Sequence, residues 1–381
     1  MVGGRLAITR VGFAGPSVRS DVLVTVEDAP ALNVQVESTV YAMYGDEIRA
    51  QALAILNAIG NPPLQVLLED SGALPFMIQA RLEAALVKHL GGDLPALAGP
   101  QREPKRDRLR RSRLYIPGNQ PKFMPNAGIY GADCLILDLE DSVPISEKHA
   151  ARSMVRHALA TLDFGVSEVM VRINSGDLGD QDLAAIAACS PEVIVVPKVE
   201  SPDDLRAVAA RLDELESPAN IVAILETSLG VQRAYEIATA TPRLIAISPG
   251  VEDYLADLRA TDREATVWAH GAILNACRAA RISPLASVTA EIHEPERIEG
   301  YAYKMACYGF DGVGCLHPGQ IAPVHRGFAP TEEVLEEARD VVIEFERAIG
   351  SGQGAIRVHG RMVDEPVYQR ALQTLQRGST R

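Results

Sequence analysis

The sequence predicts an α/β protein, a (β/α)8 TIM barrel behind a small N-terminal α+β unit, and three observations carry that prediction. Beyond residue 112, eight short apolar or β-branched runs alternate with stretches of helical spacing. Before residue 100 the pattern differs, with strand-like alternation and two helical stretches. Between them lies QREPKRDRLRRSR, residues 101–113, with seven Lys or Arg in thirteen positions. A chain of 381 residues also exceeds what one hydrophobic core usually serves.

In the first unit, expected over 1–98, DVLVTV, LNVQVEST and LQVLLED read as strands, and AQALAILNAIG and PFMIQARLEAALVKHL as helices. It has no Cys, no His before His89 and no phosphate-type glycine loop, so it reads as a carrier or adaptor and not a catalyst. The basic stretch, 99–112, is expected to be a linker, a solvated tether, because so charged a segment buries too little apolar area to fold alone. A basic face meeting an anionic cofactor or the partner domain is the other reading. The barrel is expected over 113–330, with strands at RLYIPG, CLILDLED, EVMVRIN, VIVVPKVE, IVAILET, LIAISPG, ISPLASV and FDGVGCLHP. Residues 331–381, opening with TEEVLEEARDVVIEFERAIG, are expected to form a C-terminal helical segment and lid.

A formal net charge of −13 excludes a nucleic-acid binder that works through surplus Lys and Arg. Five cysteines, an odd number without CxxC spacing, suit reduced thiols of a cytoplasmic protein. No apolar run reaches the ~18 residues of a membrane span.

Barrel active sites gather at the C-terminal ends of the strands. Those ends carry Glu140 and Asp141, Arg172 with Asn174, Lys198 with Glu200, Glu226, Asp253 and His317. Singly, each reads as a helix cap or a solvated rim. Together, carboxylates converging on one face repel unless a cation sits among them, and oxygen ligands without His or Cys suit Mg²⁺ or Mn²⁺. Lys198 is expected to pair with Glu200 or to meet a phosphate, His317 to brace a loop or serve the site, and Trp268 to pack, with stacking on substrate as the other reading.

The stretches SRLYIPGNQPKFMPNA, LDLEDSVPISEKHAAR, VRIN, VPKVES, ETSLGVQRAYEIA, PGVEDYLADL and CLHPGQI occur in this order. With GRMVDEPVYQRAL they make residues 112–377 resemble the β (citryl-lyase) subunit of citrate lyase, of the HpcH/HpaI-type family shared with malyl-CoA and citramalyl-CoA lyases. AGPSVRSDVLVTV, YGDEIRAQALAIL and EDSGALPFMIQARLEAAL resemble the acyl-carrier (γ) subunit of citrate lyase, which implies a fusion of two subunits and a carrier-like first domain.

The resemblance implies a Mg²⁺-dependent lyase that cleaves citryl-ACP or citryl-CoA to oxaloacetate and an acetyl thioester by retro-Claisen chemistry. Citramalyl-CoA and malyl-CoA are the rival substrates, and a non-catalytic carrier or scaffold chain is the rival role. It puts the metal on Glu226 and Asp253, and has Glu140 and Asp141 hold metal-bound waters and basic groups. Arg172 would face the substrate's carboxylate and thioester carbonyl, with Asn174 and Lys198 as further substrate-binding candidates. Asp364 would be an acid/base delivered to a neighbouring subunit, hence a homo-oligomer, and a citrate CoA-transferase (α) subunit would be a partner. The carrier subunit bears a phosphoribosyl-dephospho-CoA group on a serine of an AGxxESSD-like stretch. Here AGPSVRSD puts Arg19 at that position, leaving Ser20, or alternatively Ser17, or an unmodified domain.

Overall fold

A computed structural model of the chain describes residues 8–92, 97–289, 291–350 and 354–379. The first unit is a four-stranded sheet of β1 (Ile8–Val11), β2 (Val22–Asp28), β3 (Asn33–Ser38) and β4 (Leu64–Asp70), in the order β1-β2-β4-β3. Val22, Val24 and Val26 alternate into its core, as do Leu64, Val66 and Leu68, which is why the period-two pattern was legible. ITRV of β1 is too short and polar to show that pattern, and only its antiparallel pairing with β2 makes it a strand.

Helices α1 (Tyr41–Ala58) and α2 (Pro75–Leu90) cover the sheet. Proline opens α2, where the missing N–H costs nothing. This helix is apolar on two sides: Ile78, Leu82 and Leu86 join the core of the first unit, whereas Phe76, Met77 and Ala80 join the core of the larger one. Between those sides Glu83 accepts from Arg156 Nη1 at 2.7 Å and pairs with His157 Nε2 at 2.8 Å, both on α3 (Lys148–Thr161). Burial works against the Glu83 anion, but the His157 and Arg156 contacts hold its pKa below the usual value.

The large sheet is parallel throughout. Its strands are β5 (Ser112–Pro117), β6 (Cys134–Asp138), β7 (Glu168–Arg172), β8 (Val193–Val196), β9 (Asn220–Leu225), β10 (Leu244–Pro249), β11 (Ser283–Pro284) and β12 (Val313–Cys315), in the order β11-β10-β9-β8-β7-β6-β5-β12. The sheet curls until its edges meet, where Val288 bridges Gly314 and Asp311 N donates to Pro284 O at 2.9 Å. β11 shrinks to two residues because Pro284 has no N–H to extend a ladder. Helices α4 (Gly176–Ile186) to α11 (Ile321–Phe328) cover the outer face. The Gly- and Asp-rich α4, GDLGDQDLAAI, was not predicted, its propensity being poor. The helical stretch after β9 breaks at Arg233 into two pieces, Ser228–Gln232 and Ala234–Ala238.

The basic stretch is not a solvated tether. It straps the N-terminal ends of the strands, each arginine taking a partner there. Arg102 donates to Leu159 O and Cys189 O, Arg106 to Pro242 O and Leu244 O, Arg108 to Glu192, and Arg111 to Asp133. Arg110 makes two 2.7 Å bonds to Glu168, the two side chains being 2% and 0% exposed. Composition alone counts charge; it does not reveal that acceptors wait at the strand starts.

The C-terminal part is not purely helical. Between α12 (Glu332–Gly350) and α13 (Glu365–Ser379) lies a hairpin, β13 (Ala355–Val358) and β14 (Arg361–Asp364). His359 and Gly360 turn it with φ of 47° and 79°, the two positive values a two-residue type I′ loop requires. Phe345, Val358, Val363 and Ala371 give this part its own small core.

The strap makes a stability prediction. Arg110→Met should cost about 3–5 kcal/mol by stranding the buried Glu168 carboxylate. Denaturant unfolding of Arg110→Met/Glu168→Met should recover most of that loss, and a double variant no better than the single one would refute the pair's role.

Candidate functional site

The geometry at the C-terminal strand ends starts from register. Asp138 ends β6 and Arg172 ends β7, and the ladder sets them side by side. Arg172 Nε and Nη2 bond Asp138 at 2.6 and 2.7 Å, while Nη1 reaches Glu140 at 3.0 Å and Asp141 at 3.2 Å. The guanidinium lies 5.2 Å from the centre of the Tyr115 ring. Burial opposes both charges, but the mutual bonds lower the Asp138 pKa and raise that of Arg172. Asp138 also accepts from the Glu140 and Ser142 backbone N–H groups, which forms the turn that presents Glu140 and Asp141.

Lys198 resolves toward a partner the sequence did not suggest. Its Nζ lies 2.6 Å from Glu140 and 3.6 Å from Asp141, not on Glu200, and the Glu140 bond raises its pKa. Its backbone sits at φ 54°, and its N–H donates to Glu226 Oε1 at 2.7 Å. Burial and the neighbouring Asp141 raise the pKa of Glu140, and Asp141 is held low by Glu140 and Arg172 against its own burial.

Glu226, just past β9, is 2% exposed. Burial pushes its pKa up to about 7, with Asp253 and Glu140 adding repulsion that the Lys198 N–H only partly offsets. Room for this carboxylate depends on Gly250, where a Cβ would stand 2.4 Å from Glu226 Oε2. Asp253 follows in the first turn of α8 (Val251–Leu258). Asp141, Arg172, Glu226 and Asp253 line one cavity of about 210 Å³, with Arg113, Tyr115 and Ser248. No cluster of three or more His, Cys, Asp or Glu side chains is poised for a metal among the described residues. Glu226 and Asp253 are a repelling, oxygen-only pair, a donor set that suits a hard divalent cation whose other ligands are water or substrate.

Other candidates stand elsewhere. Asn174 is buried, its side chain and backbone N–H both bonded to Asp182, which Arg152 also holds. Asp364 lies at the hairpin's end, where its carboxylate accepts from Val367 N at 3.3 Å. His317 Nδ1 accepts from Gly319 N and so braces its loop. Trp268 is 53% exposed and does not pack in the core. Ser17 is exposed in the loop between β1 and β2, whereas Ser20 is half-buried at φ 53° with its N–H on Ser71 O. Arg81, paired with Asp21 at 2.8 and 3.0 Å, anchors the end of that loop, and Gly12 and Phe13 at its start line a cleft with Ser146 and Glu147.

Sequence reasoning missed Asp138, Tyr115, Arg113 and Lys148. In LDLED the first Asp was read as strand, although Cys134, Ile136 and Asp138 alternate to one face. Lys148 drew no reading from the sequence, yet its Nζ donates to the Leu139 and Glu140 carbonyls.

Residues 111–318 match the HpcH/HpaI aldolase/citrate lyase family, and residues 10–89 match an acyl-carrier family described as malonate decarboxylase delta subunit (MdcD). The chain is 37% identical over 288 residues to the citrate lyase subunit beta of Leuconostoc mesenteroides subsp. cremoris, covering 71% of this chain and 93% of that one. To the mitochondrial citramalyl-CoA lyase of Homo sapiens it is 28% identical over 316 residues, 77% and 92% of the two chains. A solved structure of CitE from Mycobacterium tuberculosis in complex with magnesium, acetoacetate and coenzyme A is similar at 32% identity and a TM-score of 0.62, over 72% of this chain and 100% of that one.

The close approach at Gly250 is testable. Gly250→Ala should displace the Glu226 carboxylate and weaken divalent-cation binding at least about tenfold, since one or two ligands carry the site. Calorimetric titration checks this, and unchanged affinity would place the cation elsewhere.

Proposed function

Because the chain belongs to the HpcH/HpaI aldolase/citrate lyase family, we propose that this carbon–carbon lyase uses Mg²⁺ to cleave a citryl thioester, on an acyl carrier or on CoA, to oxaloacetate and an acetyl thioester. One observation carries the reading. Arg172, immobilised by Asp138, faces the same cavity as the repelling carboxylates Glu226 and Asp253. In this reading the curled sheet is a closed (β/α)8 barrel and the first unit a carrier domain.

Glu226 and Asp253 would hold the metal, and the raised Glu226 pKa and the space left by Gly250 fit that role. Bound there, Mg²⁺ supplies Lewis acidity to the substrate's hydroxyl and the carboxylate beside it. The chain's own groups do the rest. Asp138 fixes one edge of Arg172, and its Nη1, which rests on Glu140 and Asp141, would share a hydrogen with the thioester oxygen, where charge develops as the carbon–carbon bond breaks. Such a donor is commonly worth roughly 3 kcal/mol. Glu140 and Asp141, neutralised by Lys198 and Arg172, hold those two cations in place. Asp364, which in its own chain caps the start of α13, would act from a neighbouring copy as acid and base, taking the hydroxyl proton as the carbon–carbon bond breaks and giving it to the departing carbon.

The MdcD-type match supports a phosphoribosyl-dephospho-CoA arm, for which exposed Ser17 is better presented than Ser20. The start of their loop lies by Ser146 and Glu147, on the segment that follows the Asp138–Asp141 turn. A transferase subunit would then load the carrier. With Arg19 in the modified position and likeness to a citramalyl-CoA lyase, free CoA thioesters are the second reading. No described helix is long and apolar enough to cross a membrane.

Asp253→Ala should lower Mg²⁺-dependent cleavage of citryl-CoA at least about a hundredfold while leaving circular dichroism intact; near-normal turnover would refute the assignment. For the shared site, inactive Arg172→Ala and inactive Asp364→Ala chains, exchanged into mixed oligomers, should regain part of the activity. Exchanged oligomers with no turnover would exclude delivery in trans.

A further inference from the structure

The floor of the cavity holds a charge that no described residue neutralises. Arg113, second in β5, is 2% exposed and points with Tyr115 into the curled sheet. Its Nη2 donates to Ala286 O at 2.7 Å and to Ser248 Oγ at 3.4 Å, while Nη1 is buried without any hydrogen-bond partner. The titratable groups around it are Tyr115, Cys134, Cys315 and Tyr301, all neutral near pH 7. Burial lowers its pKa, yet a guanidinium keeps its proton at any ordinary pH.

The other deeply buried arginines are treated differently. Arg81 is matched by Asp21, Arg110 by Glu168 and Arg172 by Asp138, each through two bonds. A lone buried cation is among the costliest placements a fold can hold, unless an anion arrives to share it. Arg113 lines the same cavity as Arg172, Glu226 and Asp253.

Resting on the lyase reading and deepening it, we infer that Arg113, with Ser248, forms an anion subsite on the cavity floor that takes a second carboxylate, the one on the oxo-acid half of the substrate. Arg172 and the metal ligands at the rim serve the reacting carbons and the carboxylate next to them, so the floor cation is left for the distal one. A substrate that releases a dicarboxylic oxo acid pairs Arg113. One that releases a monocarboxylic oxo acid leaves it unpaired, and discrimination follows from that stranded charge.

The test reads binding, not turnover. With Mg²⁺ present, calorimetric titration of the full chain should show oxaloacetate binding at least about tenfold tighter than pyruvate. Arg113→Met should bring the ratio to within about twofold while leaving the pyruvate affinity nearly unchanged, and Arg113→Lys should keep part of the preference. Oxaloacetate should raise the melting temperature of the wild type by more than that of Arg113→Met, whose own stability should match or exceed that of the wild type. Arg113→Met with the full preference intact overturns the subsite alone. Failure of Arg113→Met to fold also counts against it, because removing an uncompensated charge does not unfold a protein. A wild type that binds neither oxo acid overturns the lyase reading and the subsite together.

Discussion

Arg172 is held by two bonds to Asp138 on the adjacent strand, and the arrangement at the strand ends depends on that pairing. A guanidinium beside several carboxylates could adopt many geometries; two parallel bonds in a partly buried place leave one. Asp138 in turn binds the backbone N–H groups that set the turn after β6, which presents Glu140 and Asp141. Glu140 fixes Lys198, and the Lys198 backbone fixes Glu226. Six side chains on four strand ends are thus positioned through one chain of hydrogen bonds that begins at the β6–β7 register.

The two ends of the curled sheet use charge for opposite purposes. At the N-terminal end the pairs are closed: Arg110 with Glu168, Arg108 with Glu192 and Arg111 with Asp133 bind the strap to the strand starts. At the C-terminal end the balance is left open, with Glu226 repelled by its neighbours and Arg113 unmatched beneath it. Strongly perturbed charges without a full set of partners are commoner at functional sites than in structural pairs.

The small first unit is not hung on a flexible cord. α2 buries one side in each core, and Glu83 ties it to α3 of the larger unit. A carrier-like module held this way keeps its β1–β2 loop beside the segment that follows β6, so an arm on that loop would need little searching to reach the cavity.

Alternation in β2 and β4, the eight apolar runs and the helical spacing of α2 were legible because local periodicity depends on neighbours a few residues away; that α2 buries a second side in the larger core was not. The position of Glu140, Asp141 and Glu226 just past strand ends was legible too, since a charged residue after a buried run marks such an end. Tertiary structure alone decided the partners. Asp138 sits within its strand and becomes a site residue only when β7 lies beside it. Lys198 turns to Glu140, 58 positions away, and not to Glu200, two positions away. The same arginine-rich composition serves as a strap because Glu168, Glu192 and Asp133, distant in sequence, converge at the strand starts, and Arg113 is buried with no carboxylate bonded to it among the described residues. Pairing energies depend on distance in space and on exclusion of water, and a linear sequence contains neither until the chain has folded.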